Sequence, residues 1–180
     1  ALSDEEVIMK EQKGLLYHFR VPVIGEPGRF LTIATTRPET IPGDTAVAVN
    51  PKDPRYSSLI GKHVLRPLPP EFPEEQRRIP IIGDDHVDMQ FGTGVLKVTP
   101  AHDPADFLIG QRHQLPSLEV IDESGLMTPQ AGTALNGMDR AKARILAVEQ
   151  LKELGLLEKE EPYINQVGYS ERADVPVEPR

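Results

Sequence analysis

The sequence predicts a mainly β fold of the α+β class, with a β-barrel core and peripheral helices. Short segments rich in alternating or β-branched apolar residues recur along the chain, and few segments have the period of a helix. The 18 prolines and 14 glycines are spread through the 180 residues, as in a chain with many turns. Many short strands separated by turns are typical of such folds. The length indicates a single domain over residues 1–180, with residues 1–12 and 173–180 as linker ends.

The strands are predicted from alternation of apolar and polar residues. Residues 15–23 form the first, with Pro22 at an edge or end because proline has no N–H to donate to a ladder. A glycine-containing turn leads to the returning strand, residues 30–34. Further strands are predicted at residues 46–49, 62–66, 78–82, 94–99, 118–121 and 163–169. Residues 67–75, rich in proline and glutamate, are predicted to form a surface loop.

Two helices are predicted from their start and stop signals. Residues 104–113 begin with proline at the first helical position, and Asp103 is the N-cap. Residues 140–154 follow Asp139 as N-cap and end before Gly155. The apolar stripe of the second helix consists of Ile145, Val148, Leu151 and Leu154.

The composition excludes several classes of protein. The chain has no cysteine, which excludes disulfides and thiolate chemistry. No apolar run approaches the ~18 residues of a membrane span and no signal peptide opens the chain, so we predict a cytoplasmic protein without membrane contact. The net charge of -8 argues against binding nucleic acid through a broad basic surface. The low aromatic content disfavours an extended stacking platform for single strands.

Residues 92–107, with the sequence GTGVLKVTPAHDPADF, predict a small polar pocket. Lys97 and Thr99 lie on one face of a strand because side chains alternate along it. Asp103 and Asp106 follow at the start of a helix. One positive and two negative groups suit a ligand with an ammonium and a hydroxyl, such as an amino acid. The alternative is structural: the two aspartates only cap the helix, and the lysine points into solvent.

The same residues, 92–107, resemble the signature of the editing domain of valyl-tRNA synthetases, which are class I aminoacyl-tRNA synthetases. Residues 35–49, which begin TTRPET, resemble the threonine-rich segment of that domain, and residues 136–140 and 168–172 resemble its later landmarks in the same order. Leucine and isoleucine enzymes share parts of this pattern. The combination of Lys97, Thr99 and Asp103 points to the valine member. Ile41-Pro42 departs from the family, which more often has two aliphatic residues there.

The resemblance implies a β-barrel editing domain inserted in a Rossmann-type catalytic domain. Its activity would be hydrolysis of mischarged threonyl-tRNA(Val), and its partners would be the threonine-bearing 3′ end of tRNA(Val) and the rest of the synthetase. The reaction would need no cofactor. ATP would serve only the catalytic domain, whose His-x-Gly-His and Lys-Met-Ser-Lys-Ser landmarks are missing from this sequence. One alternative is a module that binds the aminoacylated 3′ end without turnover. Another is a metal site at Asp103 and Asp106, although two carboxylates beside a lysine make a poor cage and we predict no metal.

Within this resemblance, Asp106 pairs with the α-ammonium of the substrate and is the first catalytic candidate. Lys97, Thr99 and Asp103 supply the donors and acceptors that can bind the side-chain hydroxyl of threonine. The division of roles between the two aspartates stays open.

The upstream segment supplies two further catalytic candidates, Arg37 and Thr40. Together with Thr35 and Thr36, they would hold the terminal adenosine, the ester or the attacking water. Without the resemblance, Arg37 would be a surface residue and Thr40 the cap of a turn. His102 either contacts the substrate or fixes its own loop.

Overall fold

The computed structural model describes the backbone of residues 7–170 and the side chains of residues 14–163. Its strands are β1 (Val7–Pro22), β2 (Phe30–Thr35), β3 (Ala46–Val49), β4 (His63–Leu65), β5 (Arg78–Gly83), β6 (Val95–Val98) and β7 (Leu157–Ser170). Its α-helices are α1 (Glu74–Arg77), α2 (Pro104–His113) and α3 (Arg140–Glu153). Short 3₁₀ helices cover Pro38–Gly43, Ser57–Leu59 and Pro129–Ala131.

The strands form two sheets, and the predicted α+β class is confirmed. One sheet has the antiparallel order β2-β1-β7, and the other has the order β4-β5-β3-β6, in which only β3 and β5 are parallel. The main apolar cluster joins side chains from both sheets and from α3, among them Phe19, Ile33, Val47, Ile81 and Leu151.

The predicted barrel is wrong: within residues 7–170 the two sheets do not close into one ring. A barrel needs a continuous ladder of hydrogen bonds around its circumference. The ladder between the sheets is a single bridge, Val23 with Val64, because the chain turns at residues 24–28 directly after it. On the other side, β2 lies beside β6, but the chain leaves the sheet after Thr35 to form the 3₁₀ helix Pro38–Gly43.

Strand β3 is buried on both faces, and this fixes the position of α2. Val47 and Val49 enter the main cluster, whereas Ala46 and Ala48 join a second cluster with Ile109 of α2. The alanines leave room for the helix to approach the sheet closely. The N-terminus of α2 is thereby held beside the end of β6.

Both predicted α-helices are confirmed, but the predicted apolar stripe of α3 is partly wrong. Ile145 and Leu154 are exposed. The buried positions of α3 are Ala143, Ala147, Val148 and Leu151. The helix packs against the 3₁₀ helix Pro38–Gly43, and two of its four buried side chains are alanines.

Two further predictions are corrected. Residues 118–121 are not a strand: the backbone N–H groups of Val120 and Ile121 donate to the ring of His102 instead of to a neighbouring strand. Residues 67–75 are not wholly a surface loop, because residues 67–69 are buried and Leu68 is fully covered.

The predicted linker ends are only partly described. Residues 7–12 are paired with β7 as the first part of β1. Residues 1–6, the predicted linker end at 173–180 and the last two residues of the landmark at 168–172 lie outside the described residues. None of the helices in the described part of the chain is long and apolar enough to span a membrane.

Candidate functional site

A cavity of about 650 Å³ opens between the end of β2, strand β6 and the N-terminus of α2. Eight of the nine residues predicted for the site line it, so the structure brings together two segments far apart in sequence. These eight are Thr35, Thr36, Arg37, Thr40, Lys97, Thr99, Asp103 and Asp106.

The ammonium of Lys97 is buried at one end of this cavity and makes three hydrogen bonds. Its Nζ donates to Thr40 Oγ1 at 2.8 Å, to Thr99 Oγ1 at 2.6 Å and to Asp44 Oδ1 at 2.7 Å. A lysine ammonium has three protons, so all of them are used. We call these four side chains the Lys97 network. In this geometry Lys97 has no proton left for a substrate hydroxyl, and its contribution is to fix the two threonines.

The two threonine hydroxyls of the Lys97 network also donate their protons in hydrogen bonds within the protein. Thr99 Oγ1 donates to Asp44 Oδ1 at 2.5 Å, and Thr40 Oγ1 donates to the carbonyl of Arg37 at 2.8 Å. Each hydroxyl oxygen has two lone pairs and accepts one bond from Lys97. The remaining lone pair of each can accept a hydrogen bond from a ligand that carries a hydroxyl proton.

Asp44 is the functional residue that the sequence reasoning missed. It is 2% exposed and lies behind the cavity, between Lys97 and Arg66, whose Nη1 donates to the Asp44 carbonyl at 3.0 Å. Burial raises the pKa of Asp44, while the ammonium of Lys97 opposes that rise. The signal that could have found it is physical: a lysine predicted to enter a pocket needs a counter-charge, and Asp44 lies within the threonine-rich segment, residues 35–49.

Asp103 and Asp106, at the start of α2, each accept one backbone hydrogen bond and have acceptor capacity left. Asp103 Oδ1 accepts from the backbone N–H of Asp106 at 3.0 Å, and Asp106 Oδ2 accepts from the backbone N–H of Thr99 at 2.9 Å. Asp103 is therefore the predicted N-cap, but Asp106 does not complete a capping box, because its partner is the backbone N–H of Thr99, directly after β6. Among the residues with described side chains, none binds Asp103 Oδ2 or Asp106 Oδ1.

The pKa of Asp106 is raised to about 6. Burial is the main cause; the charge of Asp103 adds to the rise, and the hydrogen bond from the Thr99 backbone opposes it. A carboxyl group in this state is ionised at neutral pH but is poorly solvated. It is therefore suited to pair with a cation that enters the cavity.

Arg37 joins the two segments that form the cavity. Its Nη1 donates to the carbonyl of His102 at 2.8 Å, and its backbone N–H donates to Thr35 Oγ1 at 3.0 Å. Its Nε lies 3.9 Å from Glu39 Oε2. The guanidinium of Arg37 is thus held between the 3₁₀ helix Pro38–Gly43 and the loop before α2.

His102 is the one predicted site residue that does not line this cavity. It is 4% exposed, and its Nε2 accepts from the backbone N–H groups of Val120 at 2.9 Å and Ile121 at 3.3 Å. An Nε2 that accepts leaves the proton of the neutral ring on Nδ1. The structure therefore places His102 in the loop-fixing role, next to a second cavity of about 710 Å³ on the far side of Asp103.

Phe91 also lines the cavity, although the sequence reasoning did not select it. Its side chain is 72% exposed at the mouth. The loop that carries it is fixed: Tyr56 donates to the carbonyl of Thr93 at 2.7 Å, and Arg55 Nη2 donates to that of Met89 at 2.9 Å. Gly94 has φ +78°, and a Cβ there would lie 2.5 Å from the guanidinium of Arg55. The backbone of this loop is therefore held, and it presents an exposed aromatic ring at the cavity mouth.

The described side chains give little basis for a metal site. Among residues 14–163, no group of three or more His, Asp or Glu side chains is arranged to hold a metal ion. Asp103 and Asp106 alone fall short of the six to eight oxygen ligands of calcium.

Comparison with known proteins identifies relatives over the whole length of this chain. No family model matches the chain. All 180 residues align with valine–tRNA ligase of Porphyromonas gingivalis at 51% identity and with that of Streptococcus thermophilus at 53%, and the chain spans 20% of the length of each. The predicted resemblance to valyl-tRNA synthetases is thereby confirmed. A LeuRS chain of Agrobacterium radiobacter K84, solved in a ternary complex with tRNA and LeuAMS, shares the fold, with a TM-score of 0.60 and 18% identity over 94% of this chain and 24% of the LeuRS chain.

Proposed function

We propose that this chain is the editing segment of a cytoplasmic valine–tRNA ligase and hydrolyses the ester of threonyl-tRNA(Val). The observation that carries the proposal is the pair of open carboxylate oxygens, on Asp103 and Asp106, beside the Lys97 network in one cavity. These groups supply acceptors for an ammonium and for a hydroxyl proton, the two features that threonine presents together.

The α-ammonium of the substrate binds Asp106. This carboxyl group is buried and its second oxygen is open, so the charge-assisted contact is made where water competes little. The positive end of the α2 dipole lies at the same carboxylates and favours negative charge there. Binding of the cation relieves the cost of holding Asp106 charged in a buried position.

The side-chain hydroxyl of threonine is recognised by acceptors and not by Lys97. Its proton is donated to Asp103 Oδ2 or to the remaining lone pair of Thr99 Oγ1. Valine has a methyl group in place of the hydroxyl and leaves these polar groups buried without a partner. The apolar pocket of a synthetic site cannot strongly reject threonine, and valine enzymes are the standard example of this problem. Discrimination therefore requires a second site that binds the threonine hydroxyl through hydrogen bonds.

The chemical step needs no covalent nucleophile. A water oxygen attacks the carbonyl carbon of the activated ester and the water gives up a proton; the bond from that carbon to the ribose oxygen breaks, and the ribose oxygen takes up a proton, which leaves free threonine and the ribose hydroxyl. Orientation and electrostatic stabilisation are sufficient for such a step. Arg37 and Thr40 line the cavity where they can hold the ester or the water, and the reaction requires no cofactor.

The chain binds only the 3′ end of tRNA(Val). A net charge of -8 disfavours extensive contact with phosphates, so the rest of the synthetase supplies most of the affinity. The ring of Phe91 offers a stacking face for the terminal adenine at the mouth of the cavity.

The proposal is tested by incubating the 180-residue chain with threonyl-tRNA(Val) and with valyl-tRNA(Val). We expect faster release of threonine than of valine, and no effect of a chelator. Binding of both substrates without release above the spontaneous rate would contradict hydrolysis and leave a binding module. Release that a chelator abolishes would favour the metal-site alternative instead.

The affinity for the substrate is expected to depend on the ionisation of Asp106. The probe is an amide-linked threonyl-adenosine analogue that cannot be hydrolysed. Because the pKa of Asp106 is about 6, affinity falls below pH 6 by about tenfold per pH unit. It also falls above about pH 8, where the α-amino group of the analogue loses its proton. Calorimetry at several pH values measures the fall in affinity on the acid side and on the alkaline side.

The matched probe for this pH dependence is the same analogue without its α-amino group. It has no cation to pair with Asp106, so its affinity should not decline on acidification. An equal fall in affinity below pH 6 for both probes would mean that a group other than the Asp106–ammonium pair titrates.

Replacing Phe91 with alanine is expected to weaken binding of the analogue by about 1–3 kcal/mol, because the base loses its stacking surface. Phe91→Tyr should retain the affinity. Phe107→Ala is the control, since Phe107 is also an exposed phenylalanine, 48% accessible, but borders the second cavity. Free threonine should bind the parent and Phe91→Ala equally, which would locate the effect on the nucleoside. Equal loss in both alanine variants would contradict this role.

A further inference from the structure

Glu39 is a fully buried carboxylate on the 3₁₀ helix Pro38–Gly43, between Arg37 and Thr40, and it does not line the cavity. Arg144 of α3 binds it with two parallel hydrogen bonds, from Nε to Oε1 at 2.9 Å and from Nη2 to Oε2 at 2.8 Å. A buried carboxylate is costly unless it is paired in this way. The pair ties a surface helix to the segment that supplies two of the proposed catalytic residues.

The same carboxylate oxygen also faces Arg37. Glu39 Oε2 accepts from Arg144 and lies 3.9 Å from Arg37 Nε. Arg37 in turn donates to the carbonyl of His102, directly before the N-cap of α2. The contacts therefore run without interruption from α3, through Glu39 and Arg37, to the loop that leads into the carboxylates of the site.

The 3₁₀ helix has few means of fixing its own orientation. It is six residues long and has no side-chain cap at its N-terminus. Helices of this type are short and have poorer hydrogen-bond geometry than α-helices. Its position must come from tertiary contacts, of which α3 makes the most extensive. Because Thr40 donates to the carbonyl of Arg37, a shift of Arg37 is transmitted to the Lys97 network.

We propose that Glu39 and Arg144 are positioning residues that hold the guanidinium of Arg37 at the editing cavity. The inference deepens the proposed function and rests on it. Glu39 supplies the negative charge that orients Arg37, and Arg144 fixes the carboxylate of Glu39 so that it cannot rotate away. If Arg144 is lost, Glu39 is free to pair fully with Arg37 and draw it from the His102 carbonyl.

The first test compares Arg144→Met with Lys142→Met in threonyl-tRNA(Val) hydrolysis. Both substitutions remove one positive charge from α3, but Lys142 is exposed, and the ion pairs of Glu39 are with Arg37 and Arg144. We expect Arg144→Met to lower kcat by about tenfold, the size of a typical coupling between contacting residues, and Lys142→Met to leave it unchanged. Arg144→Lys keeps the charge without the planar fork and should give an intermediate loss. A kcat for Arg144→Met equal to that of the parent would overturn the proposal.

A double-mutant cycle separates positioning from a purely structural role. If Arg144 acts through Arg37, then adding Arg144→Met to Arg37→Met causes no further loss of kcat. If the ion pair only stabilises the fold, one of two results is expected. Either the losses of kcat in the two single variants multiply in the double variant, or Arg144→Met lowers the melting temperature and leaves kcat unchanged at temperatures well below it. Either of these results would overturn the proposal.

A readout independent of activity keeps this inference distinct from the proposed function. The Nε–H resonance of Arg37 is identified by its loss in Arg37→Met. It should shift in Arg144→Met, and in Arg144→Lys if the first variant does not fold, but not in Lys142→Met. An unmoved resonance contradicts positioning. If the parent hydrolyses nothing, the proposed function fails, and this spectrum still decides whether Arg144 orients Arg37.

Discussion

Asp106→Asn is expected to lower the rate of threonyl-ester hydrolysis by at least about thirtyfold, because removing one partner of a buried charge pair costs about 2–5 kcal/mol. The substitution keeps the shape of the side chain. The amide oxygen of asparagine can still accept from the Thr99 backbone, as Asp106 Oδ2 does at 2.9 Å. The change therefore removes the charge that the substrate ammonium needs and leaves the local fold.

The stability of Asp106→Asn separates this effect from unfolding. The pKa of Asp106 in the folded protein, about 6, lies above its ordinary value of 3.8, so the folded protein binds this proton more tightly than the unfolded chain. Stability therefore falls as pH rises from about 4 to about 6, and the ionised carboxylate is a cost at neutral pH. Asparagine removes that cost. We expect Asp106→Asn to be as stable as the parent at pH 7, or more so, in urea unfolding.

The matched control for Asp106→Asn is Asp85→Asn. Asp85 is exposed and does not line the cavity, so its replacement removes one negative charge without touching the site. Its rate should equal that of the parent. A folded Asp106→Asn variant that hydrolyses threonyl-tRNA(Val) at the parent rate would show that Asp106 does not bind the ammonium.

The parts of the site that could be predicted from sequence are those set by local geometry. Alternation along β6 places Lys97 and Thr99 on one face, and the proline after Asp103 marks the start of α2. Both features depend on a few consecutive residues. The structure retains both features because no tertiary contact overrides the local conformation of these residues.

Asp44 could not be found in this way, because its place depends on a pairing between distant segments. Strand β3 runs antiparallel to β6 with Ala46 opposite Val98. Asp44, just before β3, therefore arrives beside Thr99, just after β6, across 55 residues of sequence. Strand register of this kind is a tertiary property that one sequence does not disclose.

The failed predictions have the same origin in tertiary structure. Ile145 fits an apolar stripe by its spacing, but α3 packs against the 3₁₀ helix Pro38–Gly43 with Ala143 and Ala147 buried and Ile145 exposed. The position of His102, for which the sequence left two roles open, also depends on tertiary contacts: its ring accepts from the N–H groups of Val120 and Ile121. The number of strands indicated a barrel, although closure depends on ladders between strands that the pattern does not define.

Lys97→Met is expected to destabilise the chain by about 3–5 kcal/mol, the cost of leaving a buried charge without its partner. The charge left behind is the carboxylate of Asp44, 2% exposed and bound to Lys97 Nζ at 2.7 Å in the parent. Lys62→Met is the control, because Lys62 is exposed and its ion pair with Glu26 is worth at most about 1 kcal/mol. Urea unfolding of both variants and the parent measures the difference.

The pH dependence of this loss identifies Asp44 as its cause. Burial already raises the pKa of Asp44, and without Lys97 the chief influence that opposes the rise is gone. The folded variant then binds the Asp44 proton more tightly than the unfolded chain does, so its stability falls as pH rises through that interval. We expect the deficit of Lys97→Met relative to the parent to be smaller at about pH 5 than at about pH 8. A deficit that is the same at both pH values would mean that Asp44 is not the stranded group.

Adding Asp44→Asn to Lys97→Met should restore much of the stability, because a neutral pair in a buried place avoids the uncompensated charge. Hydrolysis should not recover with it. Thr40 and Thr99 receive their hydrogen bonds from Lys97, at 2.8 Å and 2.6 Å, and without that donor their oxygens are no longer held at the cavity. The ratio of threonyl-tRNA(Val) to valyl-tRNA(Val) hydrolysis should therefore fall in the single and in the double variant alike. A contrary result would be a double variant that regains both its stability and the parent ratio of threonyl-tRNA(Val) to valyl-tRNA(Val) hydrolysis. It would mean that the buried charges only stabilise the fold, and that the threonine hydroxyl is recognised without the Lys97 network.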